Sequence, residues 1–182
     1  MQEITQIRLS GFGGQGIVLV GILLGEAGVM DGKYAAGSDS YGAQARGSSC
    51  QSEVVFSDGF IDFPHLTTAD ILIAMSQGAY NMFCGDVREK SGLILFDQYQ
   101  VMPKKGPNVV QIGIPATEYA LKRLKNKQVA NIILLGALIE ITKIVSLKAI
   151  KKAIHTHVSG RFRSLNLEAL RIGIELGRRV HG

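Results

Sequence analysis

The apolar positions change period near Gly11, and that change organises the chain. Ile4, Ile7 and Leu9 read as a short buried strand, with Ser10 where the chain turns. Beyond Gly14 the spacing becomes helical: Ile17, Leu19, Val20, Leu23, Leu24 and Ala27 put one apolar face toward a sheet, predicting a helix to about Met30. Asp31-Gly32 stops it, and residues 33–36 read as a short second strand. Residues 37–49 are polar and glycine-rich and predict a long loop; residues 51–57 alternate as a strand does, and Asp58-Gly59 opens a hairpin toward Phe60, Ile61 and Phe63.

Residues 71–75 form an uninterrupted apolar run, the signature of a strand buried on both faces, followed by Ser76-Gln77 and a short helix through Phe83. Residues 93–96 and 109–114 read as further strands, the first ending at Asp97. From Ala116 the pattern is helical: 118–125, the nearly all-apolar 129–143, a helix capped by Ser146 through about Ala153, and 165–180. The expectation is an α/β fold, a mostly parallel open sheet of about six strands with helices on both faces. It forms one unit over residues 1–182, a sheet portion to 115 and a helical portion from 116. Four helices after the sheet exceed what one sheet face needs, and their spare apolar surface predicts burial against another chain.

The strand-to-helix junction carries the candidate chemistry. Gly11, Gly13, Gly14 and Gly16 around Gln15 let backbone amides approach a ligand, while the following helix aims its positive end at the same spot, which makes a plausible anion seat. The spacing G-x-G-x-x-G also matches a dinucleotide fingerprint, and equally a tight turn needed only for close packing. The fingerprint lacks a clean acidic residue closing the second strand: Asp39, the nearest, sits in the polar loop. Glycines 16, 21, 25 and 28 thin one side of the helix for close packing on a sheet. In the loop, Arg46 offers a fork for carboxylate or phosphate and Tyr41 a flat face with a hydroxyl tip; a solvated loop held by one salt bridge is the plain alternative. Ser76 and Gln77 stand at a strand end where ligands gather in open sheets, and Asp97 stands at another, where it either acts or caps the next turn.

Composition removes several classes of function. The 182 residues are 46% hydrophobic without low-complexity runs, the N-terminus reads as no secretory signal, and the longest apolar run is too short for a bilayer and contains Asn131 and Glu140. A cytoplasmic protein is expected, with no membrane partner. Cys50 and Cys84 have no C-x-x-C neighbour and read as packing residues that cannot build an iron-sulfur or zinc site, and His65, His155, His157 and His181 show no metal-ligand spacing. No G-x-S-x-G elbow marks a nucleophile. The net charge of +5 is unevenly spread: residues 1–103 hold 5 basic against 11 acidic residues, and residues 104–182 hold 15 against 4. Without an aromatic-rich basic segment, this asymmetry points to a partner protein or a phosphorylated cofactor ahead of nucleic acid.

Ordered blocks along the chain resemble a known family. Residues 11–16 (Gly-Phe-Gly-Gly-Gln-Gly), Gly25-Glu26-Ala27-Gly28, residues 40–47 (Ser-Tyr-Gly-Ala-Gln-Ala-Arg-Gly) and Ser52-Glu53-Val54 are similar to the gamma subunit of 2-oxoacid:ferredoxin oxidoreductases, the pyruvate, 2-oxoglutarate and 2-ketoisovalerate enzymes. The similarity continues through Val129-Ala130-Asn131, Gly136-Ala137-Leu138 and Arg161-Phe162 to residues 165–169. Two departures stand out: Gly42-Ala43-Gln44 where many relatives have Gly-Pro-Glu, and Gly47-Ser48 where they have Gly-Gly.

The resemblance implies a subunit without catalytic residues of its own, in a complex with alpha, beta and ferredoxin-like delta subunits. There, thiamine diphosphate and iron-sulfur clusters reside in other chains, a 2-oxoacid is oxidatively decarboxylated, the acyl group passes to coenzyme A and electrons pass to ferredoxin. It implies anaerobic metabolism, a Rossmann-like fold, and either partner chains or a homodimer of the isolated polypeptide. The residues proposed near the cofactor are Gly11, Gly13, Gly14, Gln15, Gly16, Tyr41 and Arg46. Alternatives are an indolepyruvate oxidoreductase subunit, a free-standing dinucleotide-binding oxidoreductase and a structural oligomer.

Overall fold

The computed structural model describes residues 4–41, 49–62, 65–105 and 108–180. Its six strands are β1 (Ile4–Phe12), β2 (Tyr34–Tyr41), β3 (Ser49–Ser57), β4 (Ile71–Ala74), β5 (Leu93–Asp97) and β6 (Val110–Ile114). Its helices are α1 (Ile17–Met30), α2 (Gln77–Phe83), α3 (Ala116–Leu124), α4 (Ala130–Thr142), α5 (Leu147–His157) and α6 (Gly160–Arg178). The sheet order is β2-β3-β1-β4-β5-β6. β1, β4, β5 and β6 run parallel, and β3 is antiparallel to both of its neighbours.

Both sheet faces are buried over β4 and β5, which is why 71–75 reads as continuously apolar. Ile71 and Ile73 pack into the larger core with α1 and α4, whereas Leu72 and Ala74 pack with Tyr80 and Val87 beneath α2. Each such fully buried aliphatic side chain contributes about 1.5–3 kcal/mol. α4 is buried on all sides between the sheet and α6, so its sequence shows almost no polar face. Its Gly136 meets Gly173 of α6: a Cβ on Gly173 would lie 2.0 Å from the Ile133 carbonyl oxygen and 2.9 Å from the Gly136 Cα. On α1, a Cβ at Gly21 would strike Ser52 and one at Gly28 the Phe56 ring, so two of the four expected close approaches to the sheet are present. The Gly16 Cβ position faces Asn131 of α4 instead, and the Gly25 position faces open space.

Three expectations are corrected. The second strand is not confined to residues 33–36: residues 37–41, expected as loop, continue it, because an edge strand paired only to β3 satisfies its backbone through the ladder while Asp39 and Ser40 are exposed. No strand forms over the described residues 58–62, which turn and bend instead of making a hairpin. The last helix begins at Gly160, five residues before the apolar stripe, since its first turn is partly solvated.

Candidate functional site

The parallel strands end along one sheet edge, and there the candidate residues collect. β1 ends at Phe12, and the chain turns into α1 through Gly13, Gly14, Gln15 and Gly16. Gly14 and Gly16 have φ of 92° and 72°, left-handed values that only glycine takes without strain. Gln15 locks the turn: its backbone N–H donates to the Phe12 carbonyl (3.1 Å), its side-chain oxygen accepts from the Phe12 N–H (2.6 Å), and its Nε2 donates to the Met75 carbonyl (2.9 Å). Asn131 Nδ2 donates to the Gly16 carbonyl at 3.1 Å. A Cβ on Gly11 would sit 2.3 Å from Gln15 Oε1, and one on Gly16 would sit 2.3 Å from Asn131 Nδ2. Gly11, Gln15 and Gly16 are therefore committed to packing the turn against β4 and α4, while exposed Gly14 faces outward.

Outside Gly14 and Gly16 lies a cavity of about 420 Å³, walled by Leu19, Asn131, His157, Phe162 and Asn166 among others. It forms where α1, α4 and α6 begin and α5 ends. α1 carries neither a side-chain cap nor an acidic residue in its first turn, and the first intrahelical bond is Val20 N–H to the Gly16 carbonyl, so the earlier amides precede the helical ladder. Three positive helix N-termini converge on this space against one negative C-terminus, that of α5. Arg161 stacks over the Phe162 ring at 4.5 Å, Arg163 Nε donates to the Val158 carbonyl at 3.0 Å, and His157 forms a close pair with Glu26 of α1. An apolar floor beside free helix-start amides and side-chain amides suits a ligand having both a carbon body and a polar or anionic group.

Asn131, His157 and Asn166 were not among the sequence-predicted site residues. Their sequence signal is slight: Asn131 is the lone amide in an otherwise apolar helix, and Asn166 is a buried polar residue inside the α6 stripe.

The other candidates have defined places. Tyr41 ends β2 opposite Cys50, which pairs with Gly11, so β2 ends on the same edge as the glycine turn, two strands or about 10 Å away. The Tyr41 side chain and Arg46 lie outside the described residues. Ser76 caps α2 by accepting from the Ala79 N–H (3.2 Å), and Gln77 clamps Met102 through both its amide atoms. Asp97 is fully buried and accepts from the N–H and hydroxyl of Thr117 and from the Tyr99 N–H; the capping reading is correct. Asp39 belongs to β2, a correction to its expected loop position, but β3 stands between it and the glycine turn. A ribose-binding acid belongs on the strand beside β1, so the fingerprint is incomplete in space as well as in sequence.

Cys50 is buried in β3; burial, and then the Asp39 carboxylate, raise its thiol pKa and keep it protonated. Among the described residues no group of three or more His, Cys, Asp or Glu side chains can hold a metal ion, and no helix is long and apolar enough to cross a membrane. Two cysteines on separate elements do not fit the four-thiolate set of an iron-sulfur cluster.

Residues 6–176 match the family model described as pyruvate ferredoxin/flavodoxin oxidoreductase. The chain belongs to this family. A curated relative, the 2-oxoglutarate synthase subunit KorC of Methanocaldococcus jannaschii, is 43% identical over 178 residues, covering 96% of this chain and 95% of its own. The gamma subunit of a keto/oxoacid ferredoxin oxidoreductase from Geobacter sulfurreducens PCA superposes with a TM-score of 0.85 at 35% identity over 96% of this chain and 99% of that one. The fold also recurs in a 2-oxoglutarate:ferredoxin oxidoreductase from Magnetococcus marinus, a structure with 2-oxoglutarate, coenzyme A and succinyl-CoA bound (TM-score 0.88, 23% identity, 97% of this chain, 31% of that one). Within the pyruvate ferredoxin/flavodoxin oxidoreductase family this chain is a gamma-type subunit of 2-oxoacid:ferredoxin oxidoreductase, an oxidoreductase that acts as a complex. The indolepyruvate and free-standing dinucleotide readings are not favoured.

Proposed function

We propose that this gamma subunit serves a cytoplasmic 2-oxoglutarate:ferredoxin oxidoreductase, and that the glycine turn with its adjoining cavity receives part of coenzyme A. In this reading 2-oxoglutarate loses carbon dioxide, its succinyl carbon becomes a thioester with coenzyme A, and two electrons leave one at a time to ferredoxin. Thiamine diphosphate and the iron-sulfur clusters sit in alpha, beta and delta-type partner chains. The chain's own residues bind and orient: amides near Gly14 and the start of α1 face a phosphate, Phe162 and Leu19 cover an apolar portion, and Arg161, stacked on Phe162 just outside the lining, adds positive charge nearby. The observation that carries the proposal is the convergence of three helix N-termini on a 420 Å³ cavity beside Gly14. The choice of 2-oxoglutarate is supported by the name of the 43% identical relative.

The test uses the assembled complex. Arg161→Ala is expected to raise the KM for coenzyme A about tenfold, the size of one charge-assisted contact, with the KM for 2-oxoglutarate unchanged. An unchanged coenzyme A KM in both Arg161→Ala and Phe162→Ala removes the cavity from cofactor binding. The parallel expectation for Arg46 is that Arg46→Ala weakens either coenzyme A use or assembly.

A further inference from the structure

Helices α5 and α6 form a hairpin that does not close. Between them runs an open groove of about 560 Å³, floored by Leu170 and Ile174 and edged by Leu147 and Leu167. It continues past Leu147 and Ile174 into a second cavity of about 380 Å³ near the end of α4. Along α6 it extends from Ser164 to Arg178, about 21 Å at the helical rise, the length of a four-turn helix.

The two walls differ electrically. On α6, Arg171 is held between Glu168 and Glu175, and Arg178 at the far end pairs with Glu140, so every cation on that edge has a carboxylate partner. On α5, Lys151 lines the groove and Lys148 and Lys152 stand outside its lining on the same helix; all three are exposed, none has an ion-pair partner among the described residues, and α5 contains no carboxylate. An apolar trough with an uncompensated Lys151 on one wall and two further unpaired lysines on the same helix fits an amphipathic helix whose apolar stripe lies on Leu170 and Ile174 and whose carboxylates face α5.

A second copy of this chain does not supply such a helix. Among the six helices of the described residues, Glu26 is paired with His157, Glu118 with Lys122, and Glu140 with Lys143 and Arg178, while Glu168 and Glu175 are used in the groove's own wall. α2 and α5 have no carboxylate.

We infer that the α5–α6 groove docks an acidic amphipathic helix of another subunit of the same complex. The inference rests on the reading that this chain works inside a multi-subunit oxidoreductase. It adds which surface is used and the chemistry of its occupant.

The experiment compares the purified chain with the complete complex by hydrogen–deuterium exchange, and measures the affinity of the chain for the remaining subunits. Slowed exchange over residues 147–155 and 164–178 in the complex is expected. The exposed-lysine triple variant Lys148→Glu, Lys151→Glu, Lys152→Glu should bind the remaining subunits at least about tenfold more weakly, with a loss that shrinks as salt is raised. Leu167→Glu, which places a charge in the trough, should weaken binding without altering the circular dichroism spectrum. Complex formation with unchanged exchange over both helices, or with undiminished affinity of both variants, overturns the groove as the interface. The same protection appearing in the concentrated chain alone assigns the groove to a second copy, and protection appearing only on anionic vesicles assigns it to a lipid surface; either overturns the inference. Failure of the unaltered chain to bind the other subunits counts instead against the subunit reading itself.

Discussion

At Gly16 a left-handed backbone, a buried amide and a helix start meet in one residue, and its cost of substitution can be dissected. Alanine there must adopt φ near 72° and place its Cβ 2.3 Å from Asn131 Nδ2. The first term costs about 1–2 kcal/mol and the second adds to it. Asn131→Ala removes the bond to Gly16 and the acceptor of the Ile132 N–H, each worth about 1 kcal/mol, and leaves the Gly16 carbonyl still accepting from Val20. The double variant Gly16→Ala/Asn131→Ala is therefore expected to be more stable than the sum of the two losses, because the second change removes the obstructing amide. Urea denaturation of the four proteins measures this, and strict additivity would mean that the clash is relieved by other means. The glycines themselves were legible from their spacing. Which of them turn inward was not, since Asn131 lies 115 positions away and no local pattern pairs it with Gly16.

Helices and strands were read well wherever one face repeats at a regular period, and less well where burial is uneven. α4 was legible as a nearly all-apolar helix; that its Gly136 is approached by Gly173 of α6 depends on a crossing no sequence period encodes. Gly173→Ala forces a methyl toward the Ile133 carbonyl and the Gly136 Cα, with backbone on both sides and no flexible chain end to move aside. The expected loss is about 3 kcal/mol in chemical denaturation, larger than for Gly160→Ala, whose Cβ position is open. Equal losses at the two positions would refute the close crossing. β2 was under-read for the opposite reason: its side chains are small or polar, and hydrogen bonding to β3, not apolar burial, keeps it extended.

For the molecule as a whole, the decisive feature is that β3 runs back between β1 and β2. It converts a simple strand–helix–strand start into a mixed sheet, moves Asp39 two strands from the glycine turn, and leaves the turn to be completed by the C-terminal helices. The basic surplus of residues 104–182 likewise acquires a location, with three lysines along α5 that have no ion-pair partner among the described residues. The purified chain alone is expected neither to oxidise 2-oxoglutarate nor to absorb as a flavin, nicotinamide or iron-sulfur protein, because its two cysteines are on separate elements and the proposed role of its cavity is only to hold and orient a ligand. An absorption spectrum and a ferredoxin-linked assay of the isolated chain check this, and turnover without partners would contradict it.

By itself the sequence determined the α/β class, the glycine turn, the all-apolar α4 and the shortage of redox ligands, because these depend on local period, backbone freedom and residue type. Only the tertiary structure decided the strand order, the cavity beside Gly14 and the open groove of α5 and α6. Those features arise where residues far apart in the chain pack together, and such packing is set by the shared burial of several elements at once, not by the pattern within any one of them.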